Sequence, residues 1–505
     1  MPIRSLLSAT GVLALPHRQP GESLHRWLFE GLRAGILQAR LPAGLKLPAT
    51  RALASQIGVA RGTVAAAYDE LAAQGYLDCS VGRGSFVAKV LPEKAHAGSR
   101  KAGTLRDAPA QRALGHEAPV VGLAWARTPF AQHEPMAAAM PFRAHLPDTR
   151  LFPLDAWRQL ATRSARALTP DDLGVVATPG LPLLREAIAG HLAAARGVSV
   201  DARQILVVSS TQQALDLCAR LLAKPGQAVW LEDPGYPGTR ALLAAHGLQA
   251  VDVPVDRDGL QVAEGMRRAP RARLACVTPS RHAPLGVPLS AARRRALLDW
   301  ASRAGSFVIE DDYDSEYRYA TRPIPALKAL DGDDRVLLLG TFSKLLYPAL
   351  RLAYLVLPQA LVDAFVKAHS LAARGLPSLE QRMVARFVLD GHFERHVRRT
   401  RKHCAARAEA LRYAIARHAQ GLVEVPAIDA GLDVSVRLLI KGSDRSAQQH
   451  LLAAGVEAVA LSRYTSQARL APGLVLGFAA FDETEIDAAV RRMARVLNGL
   501  VRRSR

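Results

Sequence analysis

The sequence predicts an α/β protein: a main domain built on a mostly parallel sheet, a smaller α/β unit after it, and an α+β head before it. Three observations carry this. From residue 141, helix-type and strand-type apolar patterns alternate over about two hundred residues, as crossover-connected parallel strands require. Ahead of residue 90, helical stretches with apolar residues three and four apart lead into a short hairpin pattern. Between the apolar runs Val336–Leu339 and Leu352–Val356 lies a polar turn carrying Lys344, an unusual place for a lysine.

Composition narrows the field. The 505 residues correspond to about three domain-sized units, and 49% hydrophobic residues are enough to fill their cores. A formal charge of +21 favours polyanionic partners, and residues 1–90 carry ten Lys/Arg against five Asp/Glu. Cys79, Cys218, Cys276 and Cys404 form no Cys-x-x-Cys pair, which argues against a zinc site or a disulfide framework and for a reducing cytoplasm. No apolar run approaches the roughly 20 residues that span a bilayer, so a soluble protein without a membrane partner is expected. Residues 4–15 have only a superficial likeness to a signal peptide and are read, with the rest of 1–20, as a tail.

In the head, residues 21–89, the spacing of Leu24, Trp27, Leu28, Leu32, Ile36 and Leu37 predicts a helix ending near 41–44. A short helix over 46–57 is closed by Gly58, and a third over Arg61–Gln74 buries Val64, Tyr68 and Leu71 before Gly75. Two helices joined by a tight glycine-containing turn make a helix-turn-helix. Tyr76–Asp78 and Ser85–Val87 pair across Val81–Gly84 as a wing with Arg83 at its tip. Residues 90–140 lose periodicity and read as a linker.

The main domain, 141–505, divides into a large part to about residue 380 and a small part after it. Strand Ile205–Val208 runs into a turn and helix whose first N–H groups, with the side chains of Thr211 and Gln212, make an anion site. Strand Ala228–Leu231 leads to a loop ending in Tyr236, and an acidic run from Ile309 to Tyr319 precedes the lysine turn. A lysine in a partly desolvated site loses proton affinity and becomes a nucleophile, as a Schiff base with an aldehyde cofactor requires. Thr341, Ser343 and Arg351 flank Lys344 and suit a phosphate.

The run Thr341-Phe342-Ser343-Lys344-Leu345-Leu346-Tyr347-Pro348-Ala349-Leu350-Arg351 resembles the cofactor-lysine motif of fold-type I pyridoxal-phosphate (PLP) aminotransferases, in the form carried by MocR-type transcription regulators. The resemblance implies PLP as cofactor, Lys344 as the reactive amine, Asp311 against the pyridine nitrogen, Tyr313 at the ring hydroxyl and Tyr236 stacked on the ring. The head is similar to the GntR-type winged helix-turn-helix. That likeness implies DNA contacts by Arg51, Arg61 and Thr63 in the major groove, and by Gly82, Arg83 and Gly84 near the minor groove.

Departures from the pattern matter as well. Ala60 stands where a Ser or Thr usually caps the recognition helix, and Ala65 where some members read a base with arginine. Ser210 replaces a glycine of the phosphate turn, and Gly238 replaces an arginine that binds the carboxylate of GABA in one member. In the Cys276–Gly286 loop, Arg281 and His282 are substitutions, with His282 either near the cofactor or solvated, and Ala283 replaces an asparagine. Val475 takes the place of the substrate-carboxylate arginine, for which Arg463 or Arg469 could substitute.

The expected function is a PLP-dependent regulator binding an operator in double-stranded DNA and sensing an amino compound, or PLP itself, through Lys344. The resemblance implies a head-to-tail homodimer. The alternative is a working aminotransferase carrying a DNA-binding head; as a sensor, the domain retains at most a transamination half-reaction.

Overall fold

Ser23 opens the first helix by accepting a hydrogen bond from the Arg26 N–H at 3.2 Å, and α1 (Leu24–Leu37) follows in this computed structural model. The residues described are 18, 21–80, 84–89, 140–174, 177–319 and 324–503. The expected tail and linker fall almost wholly outside them, as do Gly82 and Arg83. The chain divides into two compact units, Met1–Ala118 and Pro119–Arg505.

In the first unit, α2 (Thr50–Ile57) and α3 (Arg61–Ala73) are joined through Gly58, whose left-handed φ of 70° suits a residue without Cβ. The expected start of α2 at Lys46 is corrected. Lys46 bridges Phe86 and the Leu47 N–H donates to the Ser85 carbonyl at 2.9 Å, so this stretch joins the hairpin. Pro48 also disfavours helix at the residue before it. Strands β1 (Leu77–Ser80) and β2 (Gly84–Val87) pair antiparallel as the wing. Leu28, Leu32, Leu53, Val64, Tyr68 and Leu71 form the core, so one apolar face per helix suffices to hold the head together.

The second unit holds an eight-stranded sheet: β3 (Ile205–Val208), β4 (Ala228–Asp233), β5 (Gln249–Asp256), β6 (Gly259–Leu260), β7 (Leu274–Val277), β8 (Phe307–Asp312), β9 (Val336–Thr341) and β10 (Ala353–Val356), in spatial order β3-β10-β9-β8-β7-β4-β5-β6. The centre, β9-β8-β7-β4-β5, is parallel as expected. Its margins are antiparallel: β6 reverses on β5, and β10 runs against both β9 and β3. The connection 342–352 is too short for a crossover helix, which forces β10 to return antiparallel. The central strands carry fully buried apolar residues on both faces, with Leu337 and Leu339 in one core and Val308 and Val336 in another.

After the long helix His392–His418, β11 (Val423–Glu424), β12 (Asp433–Leu438), β13 (Val459–Ala460) and β14 (Gly473–Gly477) form an antiparallel sheet in order β11-β12-β14-β13. This is the smaller α/β unit. Among the described residues no helix is long and apolar enough to cross a membrane.

Candidate functional site

The carboxyl ends of parallel strands gather side chains at one sheet edge, the usual ligand position in open α/β sheets. Asp311 and Asp312, at the end of β8, pair with Leu339 and Gly340 at the end of β9, and the lysine turn begins two residues later. Ala353 of β10 lies between Thr341 and Val208, bringing the lysine turn beside the start of the helix Thr211–Leu222.

The Lys344 amine donates to the His145 carbonyl at 2.7 Å. Burial lowers its proton affinity, while the charges of Asp433, Asp314 and Asp311 oppose that shift. Asp311 lies at the same strand edge. Its Oδ1 is buried with no hydrogen-bond partner among the described residues, and burial, then the neighbouring Asp312 charge, push the carboxyl up to about 7. A buried carboxylate oxygen without a donor is costly, and a protonated ring nitrogen would supply one.

Tyr236 and Asp311 line the same cavity, with Leu231, Glu232, Cys276 and Thr278. The Gln212 amide donates to the Tyr236 hydroxyl at 3.5 Å, and Gly238 makes this possible. A Cβ at 238 would lie 2.5 Å from the tyrosine ring and 2.7 Å from the Gln212 amide nitrogen. The cavity lining includes Glu232, which accepts from the Thr278 N–H and hydroxyl and is driven by burial up to about 8.

At the expected phosphate end, Ser210 caps the helix by accepting from the Gln213 N–H at 3.2 Å. The substitution of glycine by serine therefore keeps a sound helix start. Thr341 is buried and its hydroxyl accepts from the Ser343 N–H at 3.1 Å. Arg351 is exposed at a left-handed φ of 51°, two residues before Ala353. Thr211, Gln212, Thr341, Ser343 and Arg351 share this sheet edge, though no direct bond joins Arg351 to the others.

Four contributors escaped the sequence reading. Arg281 donates to the Tyr313 hydroxyl at 2.9 Å, to Asp314 at 3.0 Å and to Asp433 Oδ1 at 3.1 Å. Asp433 in turn stands 2.5 Å from His145 Nδ1. Burial alone would raise the Asp433 carboxyl, but His145 and Arg281 hold it well below the usual range. Asp314 is raised by burial to about 7. A charged residue opening an apolar strand, as Asp433 does, was the available signal.

The Cys276–Gly286 loop is packed into the large domain. His282 is not solvated: it is 1% exposed, its Nε2 lies 3.0 Å from the Pro234 carbonyl and its Nδ1 accepts from the Leu285 N–H. Burial lowers it to about 3, so it stays neutral and braces the loop. The Ala283 N–H donates to the Thr278 hydroxyl, and Val475 packs with Leu461 and Tyr464. Arg463 and Arg469 are exposed.

In the head, Arg51 and Arg61 are exposed at the starts of α2 and α3, and Thr63 is half-buried in the first turn of α3. Ala60 provides no side-chain cap, as expected. Gly84 opens β2 at φ +100°, where a Cβ would meet Lys46 Cε at 3.1 Å. Lys46 thereby adds a cation beside the wing.

Comparisons with known proteins identify both parts of the chain. The profile of aminotransferase class I and II matches residues 145–493, and that of bacterial regulatory proteins of the gntR family matches 25–87. The probable rhizopine catabolism regulatory protein MocR of Rhizobium meliloti is 36% identical over 91% of this chain and 90% of its own. The HTH-type pyridoxine biosynthesis transcriptional regulator PdxR of Corynebacterium glutamicum is 31% identical over 93% of this chain and 95% of its own. Among solved structures, the α-aminoadipate aminotransferase LysN of Thermus thermophilus, complexed with N-(5'-phosphopyridoxyl)-L-leucine, has a TM-score of 0.66 at 27% identity, covering 72% of this chain and 92% of that one. The Pyrococcus horikoshii kynurenine aminotransferase has a TM-score of 0.67 at 24% identity, covering 81% and 99%.

Proposed function

The chain belongs to the MocR-type family, gntR-headed transcription regulators with an aminotransferase class I and II domain, and from that premise we propose that it binds PLP at Lys344 and uses it to sense an amino compound or PLP supply. The single observation that carries the cofactor reading is the orphaned, buried Oδ1 of Asp311 in a cavity walled by Tyr236. PLP, when bound, supplies an aldehyde for an amine and an electron-drawing ring.

The chain's own residues do the rest. Asp311 would hold the ring nitrogen, Tyr313 would donate to the ring hydroxyl, and Tyr236 would cover one ring face, with Gly238 leaving that tyrosine room. Thr211 and Gln212 with the helix N-terminus, and Thr341, Ser343 and Arg351, would hold the phosphate. Burial lowers the proton affinity of the Lys344 amine, which favours its nucleophilic form, and the His145 carbonyl orients it. These contacts would also exclude water from one face of the site.

DNA is gripped by the head. Arg51, Arg61, Thr63, Gly84 and the wing residues Gly82 and Arg83 are the proposed contacts, and a homodimer would present two such heads. An amine that competes for the Lys344 site alters DNA binding only if it favours one of two conformations of the protein. Sustained aminotransferase turnover is the second reading, favoured by the intact Lys344 and Asp311. Against it, Ala283 and Val475 supply no side-chain hydrogen bond to orient a substrate.

The test is a spectrum. PLP added to the full-length protein should produce a near-visible absorbance band that Lys344→Ala abolishes; an unchanged band in that variant would refute the site. Multiple turnover across a panel of amino donors with a keto acid would reverse the ranking of regulator over enzyme.

A further inference from the structure

Arg281 joins the loop after β8 to the small sheet, and the chemistry of its partners constrains what Tyr313 does. The guanidinium is 4% exposed. Its Nη1 donates to the Tyr313 hydroxyl at 2.9 Å and to Asp314 Oδ2 at 3.0 Å, both in the loop after β8. Its Nη2 donates to the Asp433 carbonyl at 2.5 Å and to Asp433 Oδ1 at 3.1 Å, at the start of β12 in the small sheet. Gly431, at φ +91°, passes so close that a Cβ there would lie 2.1 Å from Arg281 Cζ. The small-sheet backbone is thus shaped around this cation. Asp433 continues the chain through His145 at 2.5 Å, and the His145 carbonyl receives the Lys344 amine at 2.7 Å.

Arginine has five donors and no acceptor. Because Tyr313 accepts from Arg281, its own proton cannot point back and is left to donate elsewhere. A cation at the phenol oxygen also makes that O–H a stronger donor.

We infer that Arg281 is a positioning residue that aims the Tyr313 hydroxyl proton at the Lys344 site and ties the start of the small sheet to it. This rests on the reading of Lys344 as the PLP site. Lysine could not replace it fully, since one ammonium cannot serve Tyr313, Asp314 and Asp433 together.

The experiment is a pH titration of the absorbance band of the PLP-loaded, full-length protein. Weakening the Tyr313 donor favours the protonated chromophore, so Arg281→Gln should raise the midpoint by about one pH unit, a tenfold change in proton affinity. Tyr313→Phe should shift it the same way, and the double variant should move little further than the larger single. Arg281→Lys should fall between wild type and Arg281→Gln. Slower hydrogen exchange in 431–438 on PLP loading should occur in wild type and be lost in Arg281→Gln. A wild-type midpoint in Arg281→Gln, additive shifts with Tyr313→Phe, or unchanged exchange behaviour would overturn the inference. If Arg281→Gln does not fold, Arg281→Lys decides by the same midpoint. A wild-type protein with no band, or a band surviving Lys344→Ala, would sink the cofactor reading instead.

Discussion

Replacing Asp311 with asparagine should stabilise the cofactor-free protein at neutral pH while weakening PLP binding. The buried carboxyl has its proton affinity raised from 3.8 to about 7, by burial first and the Asp312 charge second. An unfolded chain gives up that proton near the ordinary value, and the folded chain keeps it until about pH 7. Folding is therefore penalised progressively as pH rises through that window, by about 1.4 kcal/mol per pH unit, and the penalty is constant above it. From about pH 5.5 to 8 only the part below about 7 counts, so the penalty grows by about 2 kcal/mol. Asparagine does not titrate. Relative to wild type, Asp311→Asn should accordingly gain about 2 kcal/mol between those two pH values. Urea unfolding of both cofactor-free proteins at each pH reads this directly, and the same samples give PLP affinity from the absorbance band. A pH-independent difference between the two proteins would refute the argument that Asp311 is held uncompensated. So would wild-type PLP affinity in the variant.

Two further predictions follow from the geometry. Asp233 accepts from the N–H groups of Ser466, Gln467 and Ala468 at 2.7–2.8 Å, pinning a loop of the small part to the end of β4; Asp233→Ala should cost about 3 kcal/mol in denaturant unfolding and speed hydrogen exchange in 464–468, and unchanged exchange there would contradict the tether. Arg61 is exposed at the first residue of α3, and Arg61→Ala should weaken binding to DNA from upstream of the protein's own gene about tenfold or more, measured by fluorescence anisotropy at fixed salt. Equal binding by the variant would remove α3 from the groove.

Much of this architecture was legible because local periodicity and burial agree. The faces of α1 and α3 and the buried strands around Lys344 follow from spacing alone, and the acidic run does end β8, beside the end of β9 where the lysine turn begins. What was hidden depends on partners distant in the chain. Nothing near Arg281 reveals that its acceptors lie at Tyr313, Asp314 and Asp433, and nothing near His145 predicts that its carbonyl holds the Lys344 amine. The expected helix start at Lys46 overlooks the local signal of Pro48, and the pairing of Lys46 and Leu47 with Phe86 and Ser85 is tertiary. His282 illustrates the same limit: a loop histidine reads as solvated until the chain that buries it, here the Pro234 turn, is in place.

The most direct test of the central claim is chemical. Full-length protein incubated with PLP, reduced with borohydride and digested should yield one peptide carrying the phosphopyridoxyl group, and mass spectrometry should place it on Lys344. Labelling of a different lysine, or none above the level seen in Lys344→Ala, would contradict the account.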